Sequence, residues 1–378
     1  MRKAPALTKS LDAAIAMKNS MVLERGLKPA VQPNPEETVG IHRILASNLQ
    51  SRDQRAKQGQ FFTPQVIAER MALLFQLPQS TIRILDPGAG VGSLSITLVM
   101  SLVRRADPPR EIIVTAIESD AGLIEHLTSS LEACRGYCAQ HDIRLSFEVL
   151  HEDFLSFASQ RINHDLYRPP TTQFDCAILN PPYLKIRSAS PQRKLLDSLR
   201  VPTSNLYSAF VGLSVQLLAP RGELVAITPR SFCNGPYFKD FRKFFLDQMT
   251  LKALHVYTAR NKAFGDDGVL QENLILAAIK QPSKVTDEIA IHTSTDAQEG
   301  DDTMLKVSYE QAVHALDVDQ VIHLVPDDVQ REIADRIRAL PATLKDLDVQ
   351  VSTGRVVDFR SKDYLRQLPE QDAVPLLY

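Results

Sequence analysis

The sequence predicts an α/β protein built on a doubly wound parallel sheet. Short apolar runs alternate with stretches of helical periodicity over residues 82–280. Several of these runs stop at an acid, an asparagine or a glycine-rich turn. Strands that alternate with helices of about 10 to 15 residues form parallel sheets, and such sheets bind ligands at the carboxyl ends of their strands. We therefore expect the functional residues to lie together at one edge of the sheet.

Each apolar run of four to eight residues is interpreted as a strand and each longer periodic stretch as a helix. The expected strands are Ile82–Leu85, Ile112–Ile117, Ile143–Leu150, Phe174–Leu179, Glu223–Thr228, Leu251–Tyr257 and Asn273–Ile279. The expected helices are Leu94–Arg105, Ala121–Cys138, Leu206–Leu218 and Phe238–Leu246, with a turn at Ala219–Gly222.

Changes of composition divide the chain into four regions. Residues 1–58 form a segment of helical pattern, and residues 59–282 form the α/β domain. Residues 283–302 are acidic and polar, which indicates a linker, and residues 303–378 are expected to begin a second domain. The last residues, 374–378, are apolar, from which we expect the chain to stop inside a domain.

The overall composition limits the possible classes of protein. Lys and Arg (43) nearly balance Asp and Glu (45), so any polyanionic partner must meet a local basic patch. The four cysteines form no paired CxxC elements, so we expect reduced thiols and no metal site. No apolar run approaches the roughly 18 residues that span a bilayer. A cytoplasmic protein is expected.

Residues 86–92 (DPGAGVG) follow the first strand and open a helix. Glycines permit a sharp turn and the close approach of a ligand to the backbone. A dinucleotide-binding loop needs a glycine at position 93, where this chain has Ser93. Asp86, two residues before Gly88, suits a ligand that carries an ammonium group better than one that carries a pyrophosphate.

Acidic residues follow the second and third strands. Glu118 can accept hydrogen bonds from two ribose hydroxyls, although it lies 30 residues beyond Gly88. For Asp153 and Phe154 the pattern alone indicates a helix N-cap followed by a core aromatic residue, whereas the family resemblance given below implies contacts to an adenine ring.

Asn180, Pro181, Pro182 and Tyr183 directly follow the strand Phe174–Leu179 and form the strongest motif in the chain. Two prolines fix φ and lack amide donors, so they can hold neighbouring carbonyls rigidly. The asparagine adds a side-chain acceptor. Acceptors aimed at an amino group on a planar base favour its nucleophilic geometry and stabilise the positive charge that develops. Tyr183 can stack on a base rotated out of a duplex.

Together these motifs resemble the gamma-class N6-adenine DNA methyltransferases of restriction–modification systems, which share a Rossmann-like sheet and use S-adenosylmethionine. Gly59–Pro64 (GQFFTP) makes the resemblance specific, because it precedes the glycine loop as in that family. The resemblance implies a catalytic set and a cofactor-binding set. The catalytic set is Asn180, Pro181, Pro182, Tyr183 and Phe264. The cofactor-binding set is Gln60, Phe62, Thr63, Asp86, Gly88, Gly90, Glu118, Ser119, Asp153, Phe154 and Asn180.

The resemblance covers residues 50–360, including the helix that begins near Asn205 and the opening of a recognition domain at Val351–Arg355. Phe264 is expected to sandwich a flipped adenine against Tyr183. The family's recognition domain is larger than the region remaining here, which implies either a truncated chain or recognition by another subunit.

The expected partner is duplex DNA, with a restriction endonuclease or a specificity subunit as further candidates. The segment 185–200 holds five basic residues against one acid and fits a path for the phosphates. Three alternatives remain at this stage. The first is a subunit that needs a separate specificity protein. The second is an Asn-Pro-Pro-Tyr methyltransferase acting on protein glutamine or RNA. The third is a silent cofactor- or DNA-binding module.

Overall fold

A computed structural model describes residues 34–49, 62–162, 173–257, 273–281, 288–294, 303–313 and 317–324, with short stretches between 329 and 366. The chain divides into two compact units, Met1–Asp327 and Asp328–Tyr378. Within the second unit, a 3-10 turn covers Lys362–Tyr364.

The described part of the first unit alternates helices and strands. Its helices are α1 (Pro35–Leu49), α2 (Gln65–Leu73), α3 (Ser93–Val103), α4 (Ala121–Ala139), α5 (Phe154–Ile162), α6 (Pro191–Ser198), α7 (Leu206–Leu217), α8 (Ser231–Asn234), α9 (Lys239–Leu246) and α10 (Tyr309–Ala312). Its strands are β1 (Thr81–Pro87), β2 (Glu111–Glu118), β3 (Arg144–His151), β4 (Phe174–Leu179), β5 (Leu218–Pro229), β6 (Met249–Tyr257), β7 (Asn273–Lys280), β8 (Glu288–Ser294) and β9 (Thr303–Ser308). A 3-10 turn, Pro236–Phe238, precedes α9.

The strands form one sheet in the order β3-β2-β1-β4-β5-β7-β6-β8-β9. Strands β1 to β5 are parallel, and the strand order reverses direction between β1 and β4. Reversal points of this kind are where open α/β sheets bind ligands. The sheet therefore places its crevice beside the carboxyl ends of β1 and β4.

The expectation of a wholly parallel sheet is corrected by β7, which is antiparallel to both β5 and β6. A strand buried on both faces has a continuous apolar sequence in either orientation, and the first six residues of β7 are all buried. The apolar pattern alone therefore could not reveal the direction of this strand.

The expectation of a linker over residues 283–302 is also corrected in part. Residues 288–294 form β8, which pairs in parallel with β6, and β9 pairs with β8. Burial alternates along much of β8, because one side packs on the core and the other is exposed. Glu288 at its start is exposed and His292 and Thr293 are partly exposed, so the composition resembles that of a loop.

Helices cover both faces of the sheet. Helices α1 to α4 pack against one face, and α5, α7 and α9 against the other. Helices α3 and α7 are buried almost all round, which explains why their sequences lack a polar face. All four cysteines are buried and free. Among the described residues, no helix combines the length and apolarity needed to cross a membrane.

Candidate active site

Three glycines with positive φ shape the loop between β1 and α3. Gly88, Gly90 and Gly92 have φ of 74°, 60° and 89°, a region that favours glycine. A Cβ on Gly92 would also meet side-chain carbons of Ile96 and Leu127 at 3.1 Å. The amide of Gly88 donates to the carbonyl of β2 residue 117 at 2.8 Å. The loop is thus fixed against the neighbouring strand and leaves open backbone at its tip.

Asp86, the penultimate residue of β1, carries a buried carboxyl group and is 1% exposed. Neither of its oxygens has a hydrogen-bond partner among the residues that the structure describes. Burial raises the pKa of Asp86 to about 7, while nearby Ser95 opposes the shift. An unsatisfied buried acid is costly unless a ligand compensates it. A ligand ammonium group is the compensation that fits this position.

Glu118 lies at the end of β2, also buried, and its two oxygens each accept one backbone amide. Gly90 donates to Oε2 and Asp120 donates to Oε1, both at 2.8 Å. Burial raises the pKa of Glu118, and these amide donors oppose the shift. A carboxylate has about four acceptor positions, so each oxygen retains capacity for a ligand hydroxyl.

Asp153 caps helix α5. Its Oδ1 accepts from the Ser156 amide at 3.0 Å and lies 3.3 Å from the Ser156 hydroxyl. Phe154 is 2% exposed, and its ring centroid lies 4.9 Å from that of Phe210. Of the two alternatives left open above, the N-cap and core aromatic describe these contacts. A role in adenine binding stays a prediction. In that role the exposed Asp153 carboxylate would accept a further hydrogen bond in addition to those from Ser156.

Thr63 and Asn180 bring the two halves of the predicted site together across 117 positions of sequence. Asn180 Nδ2 donates to Thr63 Oγ1 at 3.1 Å. Thr63 is 4% exposed, and its carbonyl accepts from the Arg43 guanidinium at 3.2 Å. Phe62, beside it, lies against the glycine loop: its Cε1 is 3.6 Å from where a Cβ of Gly90 would stand. The segment before α2 therefore touches both the loop and the motif after β4.

Tyr183, the last residue of the motif after β4, lines a cleft. Tyr183 donates towards Asn180 Oδ1 at 3.3 Å and towards the Ile227 carbonyl at 3.4 Å. Its ring meets Tyr207 edge-on, at 6.1 Å between centroids. Burial raises the pKa of the Tyr183 phenol, which keeps it a neutral donor. The carbonyl of Pro182 accepts from the amide of residue 184 at 3.2 Å.

The cleft has a volume of about 860 Å³. Tyr183 and Tyr207 lie on its inner side, and Arg230 and Tyr237 also line it. Sequence reasoning did not single out Tyr207 or Phe238, whose ring lies 5.4 Å from that of Tyr207. Tyr207 lies in α7 and Phe238 in the 3-10 turn before α9. No local sequence pattern therefore indicated that these two rings would pack together.

The basic segment after the motif contains the unpredicted helix α6, which Ser190 caps. Arg193 forms an ion pair with Asp197 at 3.1 Å and also donates to the Thr203 carbonyl. These contacts give its side chain a structural role. The other four basic residues of the segment are exposed: Lys185, Arg187, Lys194 and Arg200.

The remaining predicted site residues are Gln60, Phe264 and Ser119. Gln60 and Phe264 lie outside the described residues. Ser119 is exposed next to Glu118, and its carbonyl lies 3.2 Å from His151 Nε2. Among the described residues, no group of three His, Cys, Asp or Glu side chains is placed to hold a metal ion.

Comparisons with known proteins find a family and several relatives to which this chain is similar. The model of the Eco57I restriction-modification methylase family matches residues 128–264. Type II methyltransferase M.PstI of Providencia stuartii is 37% identical over 336 residues, which cover 89% of this chain and 65% of that protein. Type II methyltransferase M.BsuBI of Bacillus subtilis is 36% identical over 345 residues, which cover 90% and 66%. The chain thus spans just under two thirds of the length of these relatives.

The fold is also found among solved structures. A chain assigned as a class I S-adenosylmethionine-dependent methyltransferase from Listeria monocytogenes superposes with a TM-score of 0.52 at 16% identity. The match covers 71% of this chain and 75% of that chain. The predicted fold class is confirmed. Residues 128–264 thus match the Eco57I restriction-modification methylase family, and most of the chain is similar to two type II methyltransferases.

Proposed function

We propose that this chain transfers a methyl group from S-adenosylmethionine to the N6 amino group of adenine in DNA. The contact between Thr63 and Asn180 carries the proposal, because it joins the predicted cofactor segment to the predicted catalytic motif at 3.1 Å. The unsatisfied carboxylate of Asp86 supports the cofactor half, since it fits a ligand that brings an ammonium group.

Five side chains would hold the cofactor. Asp86 would receive the ammonium group, Glu118 the ribose hydroxyls and Asp153 the adenine amino group. Thr63, just before the N-terminus of α2, would donate to the carboxylate, which helix N-termini favour. Phe62 would border the pocket. When bound, the cofactor supplies an electrophilic methyl group on a sulfonium.

The motif after β4 would activate the adenine amino group. Asn180 Oδ1 and the Pro181 carbonyl would accept its two hydrogens, which favours the pyramidal form and stabilises the charge that develops. Tyr183 would stack on the extruded base. Its hydroxyl now donates towards Asn180 Oδ1, so the incoming amino group would share or displace that hydrogen bond. The second donor position of Tyr183, at the Ile227 carbonyl, gives the hydroxyl an alternative partner.

DNA would follow the exposed basic residues Lys185, Arg187, Lys194 and Arg200, which lie just after the motif in sequence. Lysine and arginine contacts to phosphates give affinity without sequence information. We propose a bacterial cytoplasmic location, and either a cognate endonuclease or a specificity subunit as protein partner.

The test compares wild type with Asn180→Ala, using radiolabelled S-adenosylmethionine and mixed-sequence duplex DNA. The variant should bind cofactor with an affinity near that of wild type in calorimetry but lose transfer by at least about 100-fold, as expected for an acceptor that acts mainly in the transition state. Transfer by Asn180→Ala within threefold of wild type would refute the assigned role of this residue.

A further inference from the structure

The side-chain amide of Asn180 is held between two hydroxyl groups. Its Nδ2 lies 3.1 Å from Thr63 Oγ1, and its Oδ1 lies 3.3 Å from the Tyr183 hydroxyl. The two hydroxyls come from different parts of the site: Thr63 precedes α2, whereas Tyr183 faces the cleft. The amide thus connects the cofactor side of the site to the substrate side.

Neither hydroxyl by itself determines which end of the amide faces the cleft. A hydroxyl carries one proton and two lone pairs, so it can either donate or accept. If Thr63 donated to the amide, Asn180 would be held with its oxygen towards Thr63 and its NH2 towards the cleft. That orientation would present donors to a substrate amino group. If Thr63 accepts, the oxygen faces the cleft and can receive a substrate hydrogen.

The position of Thr63 is fixed, so the choice rests on where its hydroxyl proton points. The residue is 4% exposed, its carbonyl accepts from Arg43 at 3.2 Å, and Pro64 fixes the chain at the start of α2. Rotation about the Cβ–Oγ bond moves only the proton. A third group that attracts this proton therefore favours the orientation in which Thr63 accepts from Asn180 Nδ2.

We propose that the Thr63 hydroxyl couples the cofactor carboxylate to the Asn180 amide. It donates its proton to the carboxylate, accepts from Asn180 Nδ2 and thereby holds Asn180 Oδ1 in the orientation that can accept from the adenine amino group. No covalent bond forms or breaks, and one proton changes its hydrogen-bond partner. Thr63 is thus a positioning residue for Asn180 as well as a cofactor contact. This inference rests on the proposed function and adds cofactor-dependent assembly of the catalytic acceptor.

The experiment uses three variants and two cofactors. Thr63→Val removes the hydroxyl at nearly constant shape, and Thr63→Ser retains it. Thr228→Val is the matched control, because Thr228 is 1% exposed and its hydroxyl has no partner among the described residues. Single-turnover transfer to DNA is measured at saturating S-adenosylmethionine and at saturating decarboxylated S-adenosylmethionine, which lacks the carboxylate. Calorimetry with each cofactor verifies folding and saturation.

Wild type, Thr63→Ser and Thr228→Val should each lose about tenfold in rate when the carboxylate is absent, the upper range for one neutral hydrogen bond. Thr63→Val should be slow with both cofactors, so that the ratio of its two rates approaches one. A carboxylate-dependent ratio in Thr63→Val equal to that of wild type would overturn the coupling.

A second readout does not depend on turnover. The Asn180 side-chain amide is followed by ¹⁵N NMR, with its resonance assigned by its loss in Asn180→Ala. Titration with S-adenosylhomocysteine, which keeps the carboxylate, should shift this resonance in wild type and Thr63→Ser but not in Thr63→Val. An equal shift in all three proteins would refute the inference. Transfer by wild type to cytosine, RNA or protein, with none to adenine in DNA, would instead refute the proposed function, while the NMR titration still decides the coupling.

Discussion

Replacing Asp86 with Asn should stabilise the cofactor-free protein at alkaline pH and not at acidic pH. The carboxyl group is buried without a partner among the described residues, and burial raises its pKa from 3.8 to about 7. A pKa that is higher in the folded than in the unfolded protein means that the folded state binds more protons between these two values. The free energy of unfolding therefore falls as pH rises from about 4 to about 7.

The pKa difference between 3.8 and about 7 corresponds to a decrease of about 4 kcal/mol in stability once pH exceeds both values. The side-chain amide of Asp86→Asn does not ionise, so the free energy of unfolding of this variant should not fall in this way as pH rises. Urea unfolding at pH 4.5 and pH 8 measures the difference. We expect near-equal stability at pH 4.5 and a variant more stable by about 3 kcal/mol at pH 8.

The control for this measurement is Asp120→Asn. Asp120 caps α4 by accepting from the Gly122 amide at 2.8 Å, a role that Asn fills equally well. This variant should follow wild type at both pH values. Equal stability of Asp86→Asn and wild type at pH 8 would show that Asp86 is not an uncompensated charge and would remove the main support for an ammonium partner.

Two further predictions concern ligand binding. The affinity of wild type for S-adenosylhomocysteine should rise with pH up to about 7, because binding an ammonium group requires the ionised form of Asp86. Calorimetry should find no such rise for Asp86→Asn. A parallel rise in both proteins would contradict the assignment of Asp86 as the ammonium partner. Replacing Lys185 and Lys194 with Ala should weaken binding to mixed-sequence DNA and reduce the slope of log affinity against log salt by about 1 for each phosphate that the protein no longer neutralises. Lys252→Ala is the control, since this exposed lysine lies near the start of β6, at the opposite edge of the sheet from the site. A salt slope that does not change when Lys185 and Lys194 are replaced would refute the proposed DNA path.

The sequence predicted those features whose causes are local. The strand Phe174–Leu179 has the predicted bounds, and the glycine loop and the Asn-Pro-Pro-Tyr motif lie at strand ends as expected. Each is determined by a few adjacent residues: an apolar run that ends before Asn180, or glycines that adopt positive φ without steric cost.

Features that depend on distant partners could not be predicted in this way. The direction of β7 is set by its neighbours β5 and β6. Strand β8 is stabilised by pairing with β6 and β9, which its own sequence does not reveal. The acidic and polar stretch that contains it was therefore interpreted as a linker. The hydrogen bond between Thr63 and Asn180 joins residues 117 positions apart. Sequence order placed both residues in the site, but only the fold gives their contact.

The identity of the methylated group tests the proposed function most directly. DNA incubated with the chain and S-adenosylmethionine labelled in its methyl group is digested to nucleosides and analysed by mass spectrometry, with Asn180→Ala in parallel. We predict labelled N6-methyl-2′-deoxyadenosine with wild type and none with the variant. Label in a methylated cytosine, or label accepted by RNA or protein but not by DNA, would contradict transfer to the adenine amino group.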